Sequence, residues 1–281
     1  MRDIRTRIKV VRNIEKITSA MKMVAAARLK KAQNKAEAAR PYANMMSLVM
    51  ESLSRASAGI EHPLLEVRPE ENIAVIVIGA DRGLAGSYNS NVMRRTIELL
   101  RGRDEQSVRL VLLGRKSVNF FRKRKYPVAA TLSVPTSNVG FADIRPVAAK
   151  IRDLFESKEV DAVYLVYSQF VTAMTQRPTA IKLLPIEPSV GEEEPGGEFI
   201  FEPGAEVLLG RLLPRYVDTQ IYRALVEAVA SEHGARMTSM SAATKNAGEM
   251  IDNLTLSYNK ARQAAITKEI SEIVSAAEAL K

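Results

Sequence analysis

The chain has no cysteine and no tryptophan among its 281 residues, and only two histidines, His62 and His233. Without cysteine there is no disulfide framework, thiol nucleophile or thiolate metal site. Neither histidine has acidic or histidine companions at metal-ligand spacing. Aromatic residues make up 5% of the chain. That scarcity, with abundant alanine, favours helix over an all-β core. No run of about 18 apolar residues occurs, so the sequence offers no membrane-spanning helix. The start, MRDIRTRIKVVRN, lacks the apolar stretch of a secretion signal. It is basic and amphipathic, as a mitochondrial presequence would be. The helical pattern runs on past any cleavage point, so it reads as mature structure.

Glycine and proline are missing from residues 1–40, and the 67 residues from Arg215 to Lys281 hold no proline and only Gly234 and Gly248. A continuous helix of that length would span roughly 100 Å, more than a compact domain of this size allows. A rod is therefore expected. Near the N-terminus, Ile4, Ile8, Val11, Ile14, Ile17, Met21 and Val24 recur at helical spacing. In the last third, Val226, Val229, His233, Arg236, Met240, Ala243, Ala247, Met250, Leu254, Ser257, Ala261 and Ala264 alternate gaps of three and four, which is heptad spacing. Two long helices from opposite chain ends, packed as an antiparallel coiled coil, are the simplest closure. Ile266, Ile270, Ile273, Ala277 and Leu280 form a second stripe, offset from that register. A stripe on another face asks for another partner. Pro41 is expected to break or kink the first helix.

The net charge of +9 lies at one end: residues 1–40 carry 12 basic and 3 acidic side chains, and the other 241 residues balance. Such a helix suits an anionic membrane, DNA or an acidic protein surface. Solvated charge alone is the alternative.

Between the ends, IAVIVI (73–78), VRLVLL (108–113), VDAVYLVY (160–167) and the weaker AIKLLPI (180–186) read as strands. Helical patterns lie between them at Asn91–Leu100, Arg115–Lys125 and Phe141–Ser157. The alternation predicts a parallel-rich α/β sheet. The expected division is an N-terminal coiled-coil helix (1–58), an α/β domain (70–190), an acidic Gly/Pro loop (191–205) and a C-terminal coiled-coil helix (206–281). The fold class is thus α/β with a long terminal coiled coil. The turn GADRGLAGSYN, Gly79–Asn89, invites a phosphate-binding reading. Its glycines fit neither G-x-G-x-x-G nor a P-loop, so a tight strand-to-helix turn is expected, with Asp81 and Arg82 fixing the loop or touching a partner. GLAGS is not a nucleophile elbow. RKRK, Arg122–Lys125, reads as a solvated helix end. No catalytic constellation emerges, and the chain is expected to be no enzyme by itself.

Three stretches carry a family resemblance: IRTRIKVVRNIEKITSAMKMVAAARLKKAQ followed by ARPYA, then DRGLAGSYN, then EHGARMTSMSAATKNAGEMIDNLTLSYNKARQAAITKEISEIVSA. Together, in this order, they resemble the gamma subunit of F-type ATP synthase. The resemblance covers the whole chain. It implies an antiparallel coiled coil with a Rossmann-like domain, and a proline tolerated at position 41. It also implies a central rotating stalk that carries torque between a membrane ring of c subunits and a hexamer of alpha and beta subunits. The implied partners are alpha, beta, epsilon and the c ring, with one copy of the stalk per complex and no nucleic acid. No cofactor or metal is implied, since catalytic sites would sit on beta. The implied place is peripheral, on the cytoplasmic side of a bacterial plasma membrane.

Residue by residue, Arg262, Gln263 and Thr267 in ARQAAIT resemble positions that hydrogen-bond a loop of beta. Met23 resembles the position facing beta's acidic lever segment, with Arg12 and Lys16 as basic neighbours. Ile266, Ile270 and Ile273 fit an apolar sleeve. Phe201 and Glu202 in FIFEP resemble the foot on the c ring. Tyrosines are common in the family where Phe199 and Phe201 stand, so a hydroxyl contact there is lost. The cysteine-bearing regulatory insert of chloroplast members is missing. Two other classes remain to be weighed: a nucleic-acid binder using the basic helix, and a small-molecule enzyme using the Gly79–Asn89 loop.

Overall fold

The computed structural model describes residues 1–56, 62–134, 139–186 and 204–279. The chain forms two compact units, one of Met1–Ala25 with Met237–Lys281 and one of Ala26–Arg236. Two long helices, α1 (Arg2–Ala56) and α5 (Ala205–Ala279), contribute residues to both.

In the Ala26–Arg236 unit a five-stranded sheet is built from β1 (Ile73–Ile78), β2 (Val108–Leu113), β3 (Val128–Leu132), β4 (Ala162–Phe170) and β5 (Gln176–Leu184). Their spatial order is β3-β2-β1-β4-β5. The first four are parallel and β5 runs antiparallel beside β4. Every side chain of IAVIVI is buried, as expected of a strand covered on both faces. β3, VAATL, was not foreseen; it is five residues long and lies half-exposed at the sheet edge. Between the strands lie α2 (Tyr88–Leu100), α3 (Arg115–Phe121) and α4 (Arg145–Glu156). α2 packs across β4 and β5, burying Val92, Met93 and Leu100. α4 buries Val147, Ile151, Leu154 and Phe155. Gly114, which links β2 to α3, has φ +86°, and an added Cβ would sit 2.3 Å from the Gly79 carbonyl oxygen. Only glycine fits so close a crossing of two turns.

α1 continues through Pro41, and α5 continues through Pro214. Each proline removes one helical N–H donor, for the carbonyl of residue 37 or 210. The Pro214 carbonyl accepts from Arg152 Nη1 at 3.4 Å, and the same guanidinium forms an ion pair with Asp218.

In the other unit the ends of α1 and α5 pair antiparallel. Arg5 Nη2 donates to the Tyr258 hydroxyl (2.8 Å) and Thr244 Oγ1 donates to Thr18 Oγ1 (2.8 Å). As numbers rise along α1, their partners fall along α5.

Candidate protein-interaction surface

The seam between the helix ends is not the one the apolar pattern predicts. On α1 the inward positions are Ile4, Ile8, Val11, Glu15, Thr18, Lys22 and Ala25, all buried or half-buried. On α5 they are Met240, Thr244, Ala247, Ile251, Leu254, Tyr258, Ala261 and Ala265. Both rows keep unbroken heptad spacing. From Val11 onward on α1 the real seam stands one residue past the expected Ile14, Ile17, Met21 and Val24. On α5, Met240, Ala247, Leu254 and Ala261 are shared with the expectation, while Ile251 and Tyr258 replace Met250 and Ser257.

Apolar side chains are therefore left outside. Ile14, Ile17 and Val24 are 47%, 59% and 52% exposed. Small and polar groups take part of the seam beside Ile4, Ile8, Ile251 and Leu254: Ala25 and Ala247 are buried, and Gly248 faces Glu15, whose Oε1 would lie 3.7 Å from an added Cβ. Close helix approach explains the choice. Around Thr18, Ala25, Ala247 and Gly248, small side chains admit it.

At about 100° per residue, α1 shows three stripes. The seam is one. Val10, Ile14, Ile17 and Val24 form an exposed apolar row on one flank. Arg5, Lys9, Arg12 and Lys16 form a basic row on the other, with Met23 in line with Arg12 and Lys16; all of these are exposed. On α5, Arg262, Ile266, Ile270 and Ile273 share one exposed face. Gln263 and Thr267 lie on the adjoining one, with Ile270 at the edge where the two faces meet. The helix thus groups the proposed beta contacts with the proposed sleeve contacts, away from the seam. Phe201 and Glu202 lie outside the described residues. Sequence reasoning missed the α1 apolar row as a surface. Its signal was Thr18 and Ala25, small residues one position beyond each apolar pair.

The second place a site was weighed is the DRGLAGSYN loop after β1. In a doubly wound sheet, ligands bind where strand order reverses, beyond the C-terminal ends of the strands. Here that point lies between β1 and β4, and α5 fills it. Ser231 Oγ donates to the Ser168 carbonyl on β4 (2.8 Å), and an added Cβ on Gly234 would be 3.1 Å from the Ala173 carbonyl oxygen. Arg236 Nη2 donates to the Gly83 carbonyl (3.1 Å) and to Glu232 Oε1 (2.5 Å). Its Nη1 lies 3.2 Å from His233 Nδ1. An always-protonated guanidinium makes that nitrogen the acceptor and leaves the ring proton on Nε2. Burial, and then the Glu232 charge, push the Tyr88 hydroxyl well above its ordinary pKa.

Polar groups at the start of the loop are likewise engaged inside the fold. Gly79 N–H donates to the Leu113 carbonyl (2.9 Å), Ala80 N–H to Asn89 Oδ1 (3.0 Å), and Arg115 N–H to Asp81 Oδ1 (2.9 Å). Asp81 therefore caps the start of α3. A phosphate would find these two glycine-turn donors already engaged. Among the described residues no group of three or more His, Cys, Asp or Glu is placed to hold a metal. No described helix is long and apolar enough to cross a membrane.

The profile of the family described as ATP synthase matches residues 1–280. A protein named ATP synthase gamma chain from Desulfitobacterium hafniense is 50% identical over 280 residues, covering 100% of this chain and 99% of that one. Its namesake in Desulforamulus reducens is 48% identical over 281 residues, covering 100% and 99%. Among solved structures, the rotor of Euglena gracilis mitochondrial ATP synthase holds a chain with TM-score 0.68 and 17% identity, covering 94% of this chain and 98% of that one. The central stalk and c-ring structure of Tetrahymena thermophila mitochondrial ATP synthase holds another, with TM-score 0.62 and 24% identity, covering 81% and 99%. These two likenesses concern the fold.

Proposed function

The chain belongs to the gamma-chain family of ATP synthase, and on that premise we propose that it is the central rotating stalk, coupling proton flow through a c ring to the catalytic hexamer. It makes and breaks no bond itself. Catalytic sites belong to beta subunits, and the stalk's work is to present a different face to each in turn. Its other partners are alpha, epsilon and the c ring, in one copy per complex, peripheral to the cytoplasmic side of a bacterial plasma membrane.

The observation that carries this reading is the misfit between hydropathy and seam in the paired helix ends. Ile14, Ile17 and Val24 stay exposed while Glu15, Thr18 and Lys22 turn inward. Exposed large apolar side chains in a continuous row mark a surface that another molecule covers. Ile266, Ile270 and Ile273 add a second row on α5, all three exposed. Apolar contacts are non-directional. A sleeve closed over them offers no single deep minimum, which is what a rotating bearing needs. Directional contacts then mark dwell angles. Arg262, Gln263 and Thr267 would donate to or accept from a loop of beta. Arg12 and Lys16 beside Met23 would meet beta's acidic segment. Phe201 and Glu202 would stand at the foot on the c ring.

The test is reconstitution. Co-expressed with alpha and beta subunits, the chain is expected to co-purify as one copy per hexamer, and a bead fixed to it is expected to turn during ATP hydrolysis. A chain that purifies apart from them, or a bead that stays still while ATP is hydrolysed, refutes the proposal. Retention on DNA that falls steeply with salt would instead favour a nucleic-acid binder.

A further inference from the structure

In the Ala26–Arg236 unit, a cavity of about 430 Å³ opens between α1, α5 and the short 3-10 turn at Phe141–Ile144. Three rings and three cations shape it: Tyr42, Phe141 and Tyr222, with Lys35, Arg215 and Arg223. Among the described residues no carboxylate lines it. The Phe141 and Tyr222 rings are 5.6 Å apart between centroids and tilted 53° to one another. The Arg215 guanidinium lies 5.1 Å from the centre of the Phe141 ring.

The three cations are not equally engaged. Arg223 Nε is 3.1 Å from Glu227 Oε1, and Lys35 Nζ donates to the Val139 carbonyl at 2.6 Å. Arg215 has its ring contact and no carboxylate partner among the described residues. Stacking on a ring uses none of a guanidinium's five N–H donors. Burial, and then the Asp143 charge, raise the pKa of Tyr222, so its hydroxyl stays protonated and able to donate. Asp143 already accepts from Gly140 N–H through Oδ2, at 2.7 Å.

We propose that this cavity binds a small amphipathic anion: a flat aromatic body carrying one carboxylate, sulfonate or phosphate group. Its volume falls within the roughly 300–1,000 Å³ of small-molecule pockets. Aromatic walls favour a ring in offset or edge-on contact. Cations on the same walls, with no acid among the lining residues, favour a negative group, and Arg215 has donors to meet it. Beside this cavity the chain offers no free sheet edge among its lining residues, which a strand-adding peptide would need.

The probe is naphthalene-1-sulfonate, titrated by calorimetry into the full chain and into the assembled complex that contains it. Uncharged 1-naphthol and cationic 1-naphthylmethylammonium are the comparison ligands. Saturable binding of the sulfonate at one site per chain is expected, about tenfold tighter than 1-naphthol, with none for the cation. Arg215→Gln should weaken sulfonate binding about tenfold. Ala38→Trp, at an exposed position on the cavity wall, should abolish it. Neither variant should change the melting temperature. Equal affinity for sulfonate and naphthol, or sulfonate binding untouched by both variants, overturns the proposal. So does loss of binding on assembly, which would mean that a partner subunit's own segment fills the bowl.

Discussion

Arg236 on α5 holds Gly83 on the loop after β1: its Nη2 donates to the Gly83 carbonyl across 3.1 Å, and its Nε reaches the same oxygen at 3.3 Å. The guanidinium is almost fully buried and also balances Glu232, whose carboxylate is 2% exposed. One side chain thus ties the α5 backbone, a buried acid and the strand-to-helix turn together.

Removing that cation leaves Glu232 buried and unpaired. Arg236→Met is expected to cost about 3–5 kcal/mol in chemical denaturation. Arg236→Met combined with Glu232→Gln should lose clearly less, since no unpaired charge then remains. Equal losses for single and double variants would show that the loop contact, and not the charge, dominates.

The exposed row on α1 separates folding from assembly. Ile17→Ser and Val24→Ser together should leave the isolated chain within about 0.5 kcal/mol of the parent per site in urea denaturation, because both side chains already face water. Affinity for an alpha–beta hexamer, read by surface binding, should fall about tenfold or more as apolar burial is lost. A large drop in stability with unchanged affinity would place the row inside the fold instead.

At the far end of α5, Arg262→Ala with Gln263→Ala should not change the melting temperature of the isolated chain, since both residues are exposed. In the assembled complex the pair should lower ATPase activity and its coupling to pumping, as charge-assisted contacts worth about 1.5–3 kcal/mol each are removed. Unchanged ATPase and unchanged coupling contradict the assignment.

Alkali offers a third readout. Burial, followed by the Glu227 charge, pushes the Tyr167 hydroxyl from 10.0 up to about 12. Between those values the unfolded chain gives up this proton while the folded chain keeps it. Stability is therefore intact below pH 10 and falls as pH rises towards 12. Tyr167→Phe removes that component, so the parent's advantage over the variant should shrink between pH 9 and 11.5 in urea midpoints. A constant difference over that range would count against the buried neutral phenol.

The parts of the fold that depend on dense apolar runs were readable from the chain. IAVIVI and VRLVLL begin and end where β1 and β2 do. β3 escaped because it is only five residues long, holds two alanines and lies at the sheet edge, so neither length nor β-branched content marks it. β5 begins at Gln176, before its apolar stretch, because backbone pairing with β4 holds polar residues such as Gln176 and Arg177 in the ladder. On the helix ends, the apolar heptad located a surface and misidentified its owner. Hydropathy ranks side chains by how much they gain from burial, but a tight two-helix seam is limited by size. Thr18 and Ala25 lose that contest on hydropathy and win it on volume. The bonds that Asp81 accepts from Arg115 N–H and Asn89 from Ala80 N–H were half visible, as polar side chains at a strand-to-helix junction. The hold of Arg236 on Gly83 spans 153 positions, a distance over which local pattern says nothing.

The outward isoleucines of α1 also bear on how a cell must make this protein. A copy released without its housing shows water, and every other stray copy, a ladder of sticky side chains. Surplus would clump or be degraded, so synthesis has to keep step with that of whatever covers the row, and the lifetime of the free chain becomes a gauge of how well supply matches assembly.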